Sequence, residues 1–391
     1  MPKKDCRNLS EKRKRSLSLI ATTFCNLKCS YCFEKNSPTI SRIMDIDIAK
    51  EAITRYLDAK DEFDSVIIDF FGGEPLLAFP LIRETIEWTI SREWSKKYHF
   101  FIGTNGTLLT DEMKNWFSEN KNFLTMGFSI NGNKLSHDLT RDNSYDLLAP
   151  HIPFFIKNWP YQPAKMTICA ENIPYVADSI IELEKMELLF TANVASEDFW
   201  GPSKQKEKLL NKYNEQLMRL VDFYLEHMEL YPVSRILDSI PPYLGNKDDN
   251  HSSVSRDCTR FCGAGHEMVL VDVDGTTYPC HRFHPIFTGK PAPKGPTNIQ
   301  KQWNPEQCKD CKIVDFCPTC AGFNWEVYND TSIRTTYHCD AIKLEVMASA
   351  KLAALKLQKM QLHELESSTL SEQKKIKNYL NILFELIEEG I

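Results

Sequence analysis

The stretch Cys25-Asn26-Leu27-Lys28-Cys29-Ser30-Tyr31-Cys32 places three thiols in one short segment. Spacings of three and then two intervening residues allow a loop to turn three sulfurs toward one metal centre. A [4Fe–4S] cluster has four irons and usually takes four thiolates, so three protein ligands leave one iron open to a small molecule. A closed structural zinc site requires a fourth protein ligand. The stretch therefore predicts an iron–sulfur cluster with one accessible iron, and the alternatives are a zinc knuckle or unrelated thiols.

The length and composition indicate a protein of two domains. The chain has 391 residues, of which 42% are hydrophobic, enough for a sizeable core. Its 47 basic and 53 acidic residues give a net charge of −6, which gives no support to nucleic acid as the main partner. No apolar run reaches membrane-spanning length and no signal peptide is recognisable, so a cytoplasmic protein is expected. Thirteen cysteines, an odd number, then indicate metal binding rather than a disulfide framework.

Strands and helices are predicted to alternate along the first part of the chain. Six strands are expected at 16–22, 66–71, 98–103, 123–130, 165–169 and 188–194. Helices are expected at 45–60, 79–97, 110–118, 145–159, 174–187 and 203–229. This alternation predicts an α/β fold with a parallel sheet and right-handed crossovers. In such sheets ligands bind beyond the carboxyl ends of the strands.

Polar motifs follow three of these strands at their carboxyl ends. They are Gly72-Gly73-Glu74-Pro75, Thr104-Asn105-Gly106, and Ser129-Ile130-Asn131-Gly132 with His137, Asp138 and Arg141 behind it. Two glycines allow backbone to approach a ligand closely, and Glu74 offers an anion to an ammonium group. The alternatives are a plain tight turn, an ordinary Asn-Gly turn and a structural loop lock. Cys169, inside an apolar strand, is expected to be a buried inert thiol, and Cys6 a surface thiol.

The composition changes after about residue 235, where a polar, turn-rich segment marks a boundary. Eight cysteines follow: Cys258, Cys262, Cys280, Cys308, Cys311, Cys317, Cys320 and Cys339. A strand at 267–272, a turn at Asp274-Gly275 and a second strand at 276–279 predict a hairpin before Cys280. Eight thiols make two sets of four, which suits two further [4Fe–4S] clusters or two zinc sites.

The motifs together resemble those of the radical S-adenosylmethionine (SAM) superfamily. The three-cysteine loop, Gly-Gly-Glu-Pro, Thr-Asn-Gly and Ser-Ile-Asn-Gly follow the family order, with Asn131 where Asp is usual. The resemblance implies a partial (β/α)6 TIM-like barrel at 16–235 in which SAM binds the open iron of a cluster held by Cys25, Cys29 and Cys32. It implies cofactor contacts for Tyr31, Gly72, Gly73, Glu74, Thr104, Asn105, Ser129, Asn131 and Arg141.

The second half resembles the SPASM extension of radical SAM enzymes. Cys308-x2-Cys311-x5-Cys317 matches its pattern, and Cys320 follows one residue earlier than is common. The resemblance implies a SPASM domain at 236–345 with two auxiliary clusters, so that the enzyme carries three [4Fe–4S] clusters in all. One auxiliary cluster is expected on Cys258, Cys262, Cys280 and Cys320, and the other on Cys308, Cys311, Cys317 and Cys339. Helices at 346–391 are expected to pack against or cap the fold.

The SPASM class modifies peptides and proteins, so the resemblance implies a radical SAM oxidoreductase. The string Tyr278-Pro279-Cys280-His281-Arg282-Phe283 is similar to maturases that cross-link ribosomally made peptides through thioether or carbon–carbon bonds. Sulfatase maturases, the alternative, usually carry Asp as base after the hairpin cysteine. His281 occupies that position here as a candidate catalytic base, or it packs beside the cluster. A non-catalytic, metal-stabilised binding protein is the alternative from another class.

The expected partners follow from the same resemblance. Only 24 residues precede Cys25, too few for the N-terminal leader-binding domain of many relatives. A precursor peptide would then be held by the barrel and the SPASM surface or presented by a separate leader-binding protein. Reduction requires an electron donor such as flavodoxin or ferredoxin. Neither nucleic acid nor a membrane is expected as a partner.

Overall fold

The computed structural model describes residues 13–33, 42–238, 263–291, 308–309, 311–313, 317, 319–359 and 380–381. Cys6, Cys258 and Cys262 lie outside these ranges, as does the polar segment after residue 238. The part of the predicted helical region beyond residue 359 also lies outside them, apart from residues 380–381.

The six predicted strands are present within a few residues of their expected positions, and they lie in two parallel groups, the first four strands and the last two. The strands are β1 (Lys14–Thr22), β2 (Ser65–Gly72), β3 (Lys97–Thr104), β4 (Leu124–Phe128), β5 (Ala164–Ile168) and β6 (Phe190–Val194). The first four pair in chain order, and β5 pairs with β6. A bridge between Ser129 and Lys165 continues β4 into β5, so the strands follow one another around a partial barrel.

The helices lie between these strands, as the alternation predicts. They are α1 (Ile46–Leu57), α2 (Phe79–Ile90), α3 (Asp111–Glu119), α4 (Lys134–Thr140), α5 (Tyr145–Leu148), α6 (Ile152–Asn158), α7 (Val176–Lys185) and α8 (Ser203–Glu226). Asp45, Thr110 and Asn133 cap α1, α3 and α4 through side-chain oxygens that accept backbone N–H groups.

Two predicted helices differ clearly from the observed ones, and one observed helix was not predicted. The helix expected at 79–97 ends at Ile90, because Lys97 already begins β3. The helix expected at 145–159 is divided into α5, a 3₁₀ turn at Ala149–His151 and α6, with a proline within the first residues of the latter two. Helix α4 was not predicted, because its seven residues are too few to show a helical period.

The C-terminal hairpin joins the barrel sheet, which the sequence pattern does not show. Strands β7 (Met268–Val271) and β8 (Thr277–Tyr278) are antiparallel, with Gly275 at a φ of 85° in the turn. β7 also pairs in parallel with β1, from Ser16–Met268 to Leu19–Val271. The second domain therefore extends the sheet at the edge beside the strand that carries the cysteine loop.

The main core lies between the outer face of the sheet and the surrounding helices. Leu17 and Leu19 of β1 and Ile68 of β2 are fully buried there, together with Ile53 and Ile82 from the helices. The opposite face of the same strands lines the inside of the partial barrel, called the lumen below. Its residues alternate with the core residues, as the pleat of a strand requires.

Three more helices, α9 (Pro285–Thr288), α10 (Ala321–Tyr328) and α11 (Cys339–Lys359), follow the hairpin. Helix α11 is continuous across the expected boundary at 345/346 and packs against α8. The Tyr213 hydroxyl of α8 donates a 2.7 Å hydrogen bond to Glu345 Oε1 in that interface. Within the described ranges, no helix combines the length and apolar character needed to cross a bilayer.

Candidate functional site

The cysteine loop, Cys25–Cys32, lies at the carboxyl end of β1 and is held by neighbouring segments. The Glu74 N–H donates to the Phe24 carbonyl at 2.8 Å, immediately before the loop. The Ser30 N–H donates to the Thr140 carbonyl at the end of α4 at 3.0 Å. The Lys28 N–H donates to Asp142 Oδ2 at 3.1 Å. Contacts from two other parts of the barrel thus fix the loop that carries the three thiols.

The Gly-Gly motif faces this loop rather than open space. A Cβ added at Gly72, which has a φ of 124°, would lie 2.1 Å from the Thr22 carbonyl oxygen. A Cβ at Gly73 would lie 2.2 Å from the Phe24 carbonyl oxygen and 2.8 Å from the Cys25 nitrogen. The glycines therefore permit close approach of the backbone to the end of β1 and to the start of the cysteine loop. Their predicted approach to a ligand stays a prediction.

Glu74 is a buried carboxylate that gathers donors from two strand ends. Its Oε1 accepts from the Thr104 hydroxyl at 2.7 Å and from the Leu76 N–H at 3.1 Å, and its Oε2 accepts from the Asn105 N–H at 2.7 Å. Burial raises the pKa of Glu74, and these hydrogen bonds together with the charge of Arg141 offset part of that rise. The side chain of Thr104 is thus committed to Glu74.

Asn26, inside the cysteine loop, was not identified from the sequence as a functional residue. Its Oδ1 accepts from Asn105 Nδ2 at 2.9 Å, and its Nδ2 donates to Thr107 Oγ1 at 2.9 Å. The Asn105 side chain also accepts from the N–H and the hydroxyl of Thr107. The amide at position 26 therefore ties the loop to the Thr-Asn-Gly turn, and its place between two of the cysteines was the available signal.

Tyr31, Asn131 and Arg141 meet beside Cys29. Asn131 Nδ2 donates to the Tyr31 hydroxyl at 3.2 Å and to Thr140 Oγ1 at 2.8 Å, and its Oδ1 accepts from the Thr167 N–H at 3.0 Å. Arg141 Nη1 donates to the same Tyr31 hydroxyl. An amide can donate where an ionised Asp cannot, so Asn131 suits this arrangement.

The Arg141 guanidinium is buried and retains one unused donor. Its Nε has no hydrogen-bond partner among the residues that the structure describes. Burial by itself would lower the pKa of Arg141, but Tyr31, Cys29 and Glu74 together raise it. A permanently charged, buried N–H without a partner is a suitable donor for a bound carboxylate or other anion.

The predicted His137-Asp138 pair stabilises the fold around α4. His137 is fully buried, its Nδ1 accepts from the Asn131 N–H at 3.3 Å, and its Nε2 lies 3.1 Å from the Ser144 hydroxyl. Burial lowers the pKa of His137 to about 3. Asp138 Oδ1 accepts from the Tyr145 N–H at 2.9 Å. Both therefore act as the structural lock that the sequence analysis kept as an alternative.

The other predicted residues of this end have simpler surroundings. Ser129 is half-buried, and its N–H donates to the Thr104 carbonyl at 3.1 Å. Cys169 directly follows β5, is almost fully buried, and lies with its sulfur 4.0 Å from the Ser30 hydroxyl. Burial raises the pKa of the Cys169 thiol to about 12, which confirms the expectation of an inert thiol.

Four cysteines of the second half lie close enough to affect one another's ionisation. They are Cys308, Cys311, Cys317 and Cys339, the set expected for one auxiliary cluster. The pKa of Cys317 is raised to about 12, first by burial and then by the charges of the other three thiolates, against the lowering effect of Arg334. Arg334 Nη2 also donates to the Cys317 carbonyl at 2.8 Å.

Cys280 and Cys320 belong to neighbouring segments of the same region. Cys280 packs with Phe283 and Ala321 in a small apolar cluster. Cys320 caps α10, and its sulfur accepts from the Phe323 N–H at 3.4 Å. Buried Arg282 is electrostatically coupled to Cys320 and donates to Glu197 at 2.8 Å. The two cysteines expected to complete this set, at 258 and 262, lie outside the described residues.

His281 faces the lumen beside the cysteine loop. Its ring stacks on Phe71 of β2 with centroids 5.0 Å apart, and the Phe33 ring lies 5.8 Å away. Burial, then the charges of Arg282 and Lys165, lower the pKa of His281 to about 4. At neutral pH the imidazole is therefore uncharged and is a weak proton acceptor.

The donor chemistry of these cysteines suits iron–sulfur clusters. The ten cysteines of the described ranges are thiols rather than disulfides. In the same ranges no three His, Cys, Asp or Glu side chains are arranged to hold a single metal ion. A zinc ion draws its sulfurs to about 2.3 Å, whereas a four-iron cluster spreads its thiolates over the corners of a cube. Thiolate sulfurs in sets of four are the donors that such clusters take, and they are also the donors of a structural zinc site.

Comparison with known proteins relates this site to a family. Residues 19–147 match the model of the Radical SAM superfamily. The cysteine-type anaerobic sulfatase-maturating enzyme of Clostridium perfringens (strain ATCC 13124) is 24% identical over 357 residues, covering 83% of this chain and 92% of that protein. The matched region contains the cysteine loop and the motifs that follow β2, β3 and β4.

Two solved structures share the fold over most of the chain. Native anSMEcpe with bound AdoMet superposes with a TM-score of 0.65 at 19% identity, covering 88% of this chain and 98% of that one. Streptococcus suis SuiB bound to precursor peptide SuiA gives a TM-score of 0.56 at 15% identity, covering 83% of this chain and 76% of that one. The α/β barrel with a cysteine-rich C-terminal region is thus a known architecture.

Proposed function

We propose, from the premise that this chain is a radical SAM enzyme with a C-terminal SPASM domain, that it is a peptide maturase. The proposed reaction is an oxidative cross-link, thioether or carbon–carbon, in a ribosomally synthesised peptide. The observation that carries the proposal is the cysteine loop fixed against Gly73 and Glu74, with the unused Arg141 Nε beside Cys29. The three thiols of the loop are suited to bind a cluster. The buried Arg141 guanidinium beside them is suited to bind the carboxylate of an amino-acid ligand.

Cys25, Cys29 and Cys32 would hold the first cluster and leave one iron for SAM. When bound and reduced, the cluster would cleave SAM to a 5′-deoxyadenosyl radical that takes a hydrogen atom from the substrate. A carboxylate oxygen accepts about two hydrogen bonds, and Glu74 Oε2 accepts one from the described residues. Glu74 Oε2 is thus suited to the SAM ammonium, and Arg141 Nε to its carboxylate.

The remaining predicted contacts are assigned by their places at the same end of the barrel. Tyr31 and Ser129 are half-buried and remain proposed contacts of SAM. Gly72, Gly73, Thr104, Asn105 and Asn131 would act by positioning the loop and Glu74. Gly72 and Gly73 approach the end of β1 and the start of the loop, Thr104 holds Glu74, and the two asparagines bond to Asn26 and Tyr31 of the loop. Auxiliary clusters on the two C-terminal cysteine sets are proposed as electron acceptors.

Sulfatase maturation is a second candidate, in which a Cys or Ser becomes formylglycine. It is favoured by the Clostridium perfringens relative, which the chain matches along 92% of that protein's length. The cross-linking reaction is favoured by His281, which stands after Cys280 where sulfatase maturases usually carry Asp. A separate leader-binding protein, a flavodoxin or ferredoxin donor and a cytoplasmic location are proposed with either reaction.

Iron content and SAM cleavage test whether the chain is an enzyme of this kind. The anaerobically reconstituted protein should bind iron and, with dithionite, convert SAM to 5′-deoxyadenosine. Cys25→Ala should abolish that conversion, while Cys169→Ala, which changes an inert thiol, should retain it. Zinc in place of iron, or undiminished cleavage by Cys25→Ala, would refute the assignment of the cysteine loop.

Mass spectrometry distinguishes the two reactions. The reduced enzyme is incubated with the short peptides encoded beside its gene and with a sulfatase peptide that contains cysteine. A cross-link removes two hydrogens from a peptide without a carbonyl product, whereas formylglycine gives an aldehyde that reacts with hydrazine. SAM cleavage with no change in any of these peptides would contradict the proposed function.

A further inference from the structure

The inner face of the barrel carries a carboxylate that the proposed cofactor contacts do not use. Ser18 of β1, Asp69 of β2 and Phe101 of β3 are register partners and therefore lie side by side on one face. Their sequence neighbours Leu19, Ile68 and Phe100 are buried in the core on the opposite face. Asp69 thus points into the lumen, where it is partly accessible.

One side of the Asp69 carboxylate is positioned by a hydroxyl group. Ser18 Oγ donates to Asp69 Oδ2 at 3.3 Å. Among the described residues, no hydrogen-bond donor reaches the other oxygen, Oδ1. That oxygen is available to a molecule that enters the lumen. Burial raises the pKa of Asp69 to about 6, and Lys165 and Ser18 limit the rise.

Lys165 joins Asp69 to the region of His281. Its ammonium lies over the Phe101 ring, 5.5 Å from the centroid, so the side chain reaches from β5 toward β3. Its charge acts on both Asp69 and His281. His281 stacks on Phe71, two residues beyond Asp69 on the same face of β2, a separation of about 7 Å along the strand. Asp69 therefore lies on the inner face of β2, two residues before the Phe71 ring that contacts His281.

We propose that Asp69 is a catalytic residue, the proton acceptor for the group of the substrate that loses its hydrogen as the new bond forms. The inference rests on the proposed function and holds for either reaction. One C–H bond and one S–H, O–H, N–H or second C–H bond break in the substrate. The hydrogen atom goes to the deoxyadenosyl radical, the proton to Asp69, and one electron to an iron–sulfur cluster as oxidant. The substrate forms one C–X or C–C bond, or the C=S or C=O group on the path to formylglycine.

Asp69 suits this role better than the other groups around it. Among the described residues, Lys165 from β5 is the titratable group whose charge acts on Asp69. His281 packs on Phe71, two residues further along β2, and His99 lies two residues down the same face of the neighbouring β3. Lys165 is cationic, and His99 Nε2 is hydrogen-bonded to Thr125 at 2.7 Å. Asp69 keeps one carboxylate oxygen beyond the one that Ser18 holds. Burial raises its pKa to about 6, and a general base is most effective when its pKa lies near the working pH.

The test compares Asp69→Asn with wild-type enzyme on whichever peptide the wild type modifies in the pool described above. Product and 5′-deoxyadenosine are measured separately. Asp69→Asn should retain 5′-deoxyadenosine formation within about twofold and lose product by about 100-fold or more, the usual contribution of a general base. Asp178→Asn, which removes an exposed carboxylate paired with Arg219, is the matched control and should behave as wild type.

A second variant keeps the inference testable if Asp69→Asn folds poorly. Ser18→Ala removes a hydrogen bond that lowers the pKa of Asp69, so the acid limb of the product pH profile should move to higher pH. Lys165→Gln should also move the acid limb to higher pH. It is less specific than Ser18→Ala, because the charge of Lys165 lowers the pKa of His281 as well as that of Asp69. If the acid limb does not move in Ser18→Ala, or if Asp69→Asn gives a normal amount of product, Asp69 is not the proton acceptor. Either result would leave the proposed function unaffected. Absence of product from the wild type would instead contradict the proposed function.

Discussion

The hydroxyl of Thr104 donates a 2.7 Å hydrogen bond to Glu74 Oε1, joining the end of β3 to the turn after β2. Both residues are almost fully buried. Hydrogen bonds to a buried charged group contribute about 1.5–3 kcal/mol each. The Gly-Gly-Glu and Thr-Asn-Gly motifs are therefore parts of one hydrogen-bonded unit behind the cysteine loop.

Thr104→Val should weaken this unit by removing one donor to the Glu74 carboxylate. The free energy of unfolding, measured with urea, is expected to fall by about 1.5–3 kcal/mol. SAM affinity should fall as well, since Glu74 is less firmly positioned. Thr54→Val, on the exposed face of α1, is the control and should change stability by less than about 1 kcal/mol. Equal stability of the two variants would show that Thr104 does not support Glu74.

Gly73→Ala should disrupt the cysteine loop, because its Cβ would lie 2.2 Å from the Phe24 carbonyl oxygen. We expect iron bound after anaerobic reconstitution to drop by about one third, if the proposed three clusters form and the first is lost. Gly103→Ala is the matched control, since its Cβ would be no closer than 3.7 Å to another atom. Full iron content in Gly73→Ala would contradict the close packing of this turn on the loop.

Arg141→Lys retains a positive charge but removes the buried Nε donor. SAM should bind roughly tenfold more weakly, equivalent to about 1.4 kcal/mol, by equilibrium dialysis with the reconstituted enzyme. The same change at Arg219, whose guanidinium pairs with Asp178 at an exposed position, should leave the affinity unchanged. Unaltered binding by Arg141→Lys would exclude Nε as a SAM contact.

Cys317→Ser should remove one auxiliary cluster and leave the first cluster intact. Iron content should fall by about one third, while SAM cleavage under dithionite continues and product formation stops. Cys169→Ser, at a buried thiol that lies outside both cysteine sets, should keep the full iron content. A wild-type yield of product from Cys317→Ser would argue against an auxiliary cluster at Cys308, Cys311, Cys317 and Cys339.

Glu345 makes stability depend on pH, because burial raises its pKa from 4.5 to about 8 in the folded protein. Between these two values the unfolded state binds fewer protons, so the free energy of unfolding falls as pH rises. Glu345→Gln keeps an oxygen that accepts from Tyr213, and it should gain stability over wild type between pH 5 and pH 8. The gain is limited to about 1.4 kcal/mol per pKa unit. Glu215→Gln, at an exposed carboxylate, should show no such trend in urea titrations.

The cysteine spacing, the strand–helix alternation and the motifs at the strand ends were readable from the sequence because they depend on local order along the chain. Short-range hydrophobic periods fixed the six strands, and cysteine spacing indicated the chemistry of both halves. The prolines that divide the helix predicted at 145–159 are also a local signal. The helical period of the segment nevertheless predicted one continuous helix. Helix α4 was too short for any period to indicate it.

Tertiary structure alone decided which groups act on one another. The pairing of β7 with β1, the approach of Gly73 to Phe24 and the alignment of Ser18 with Asp69 join residues far apart in the chain, and no local pattern encodes such distances. The same holds for the burial that sets the pKa values of Asp69, His281 and Glu345. A sequence specifies which ionisable groups exist, whereas their protonation depends on the water and the charges that packing leaves around them.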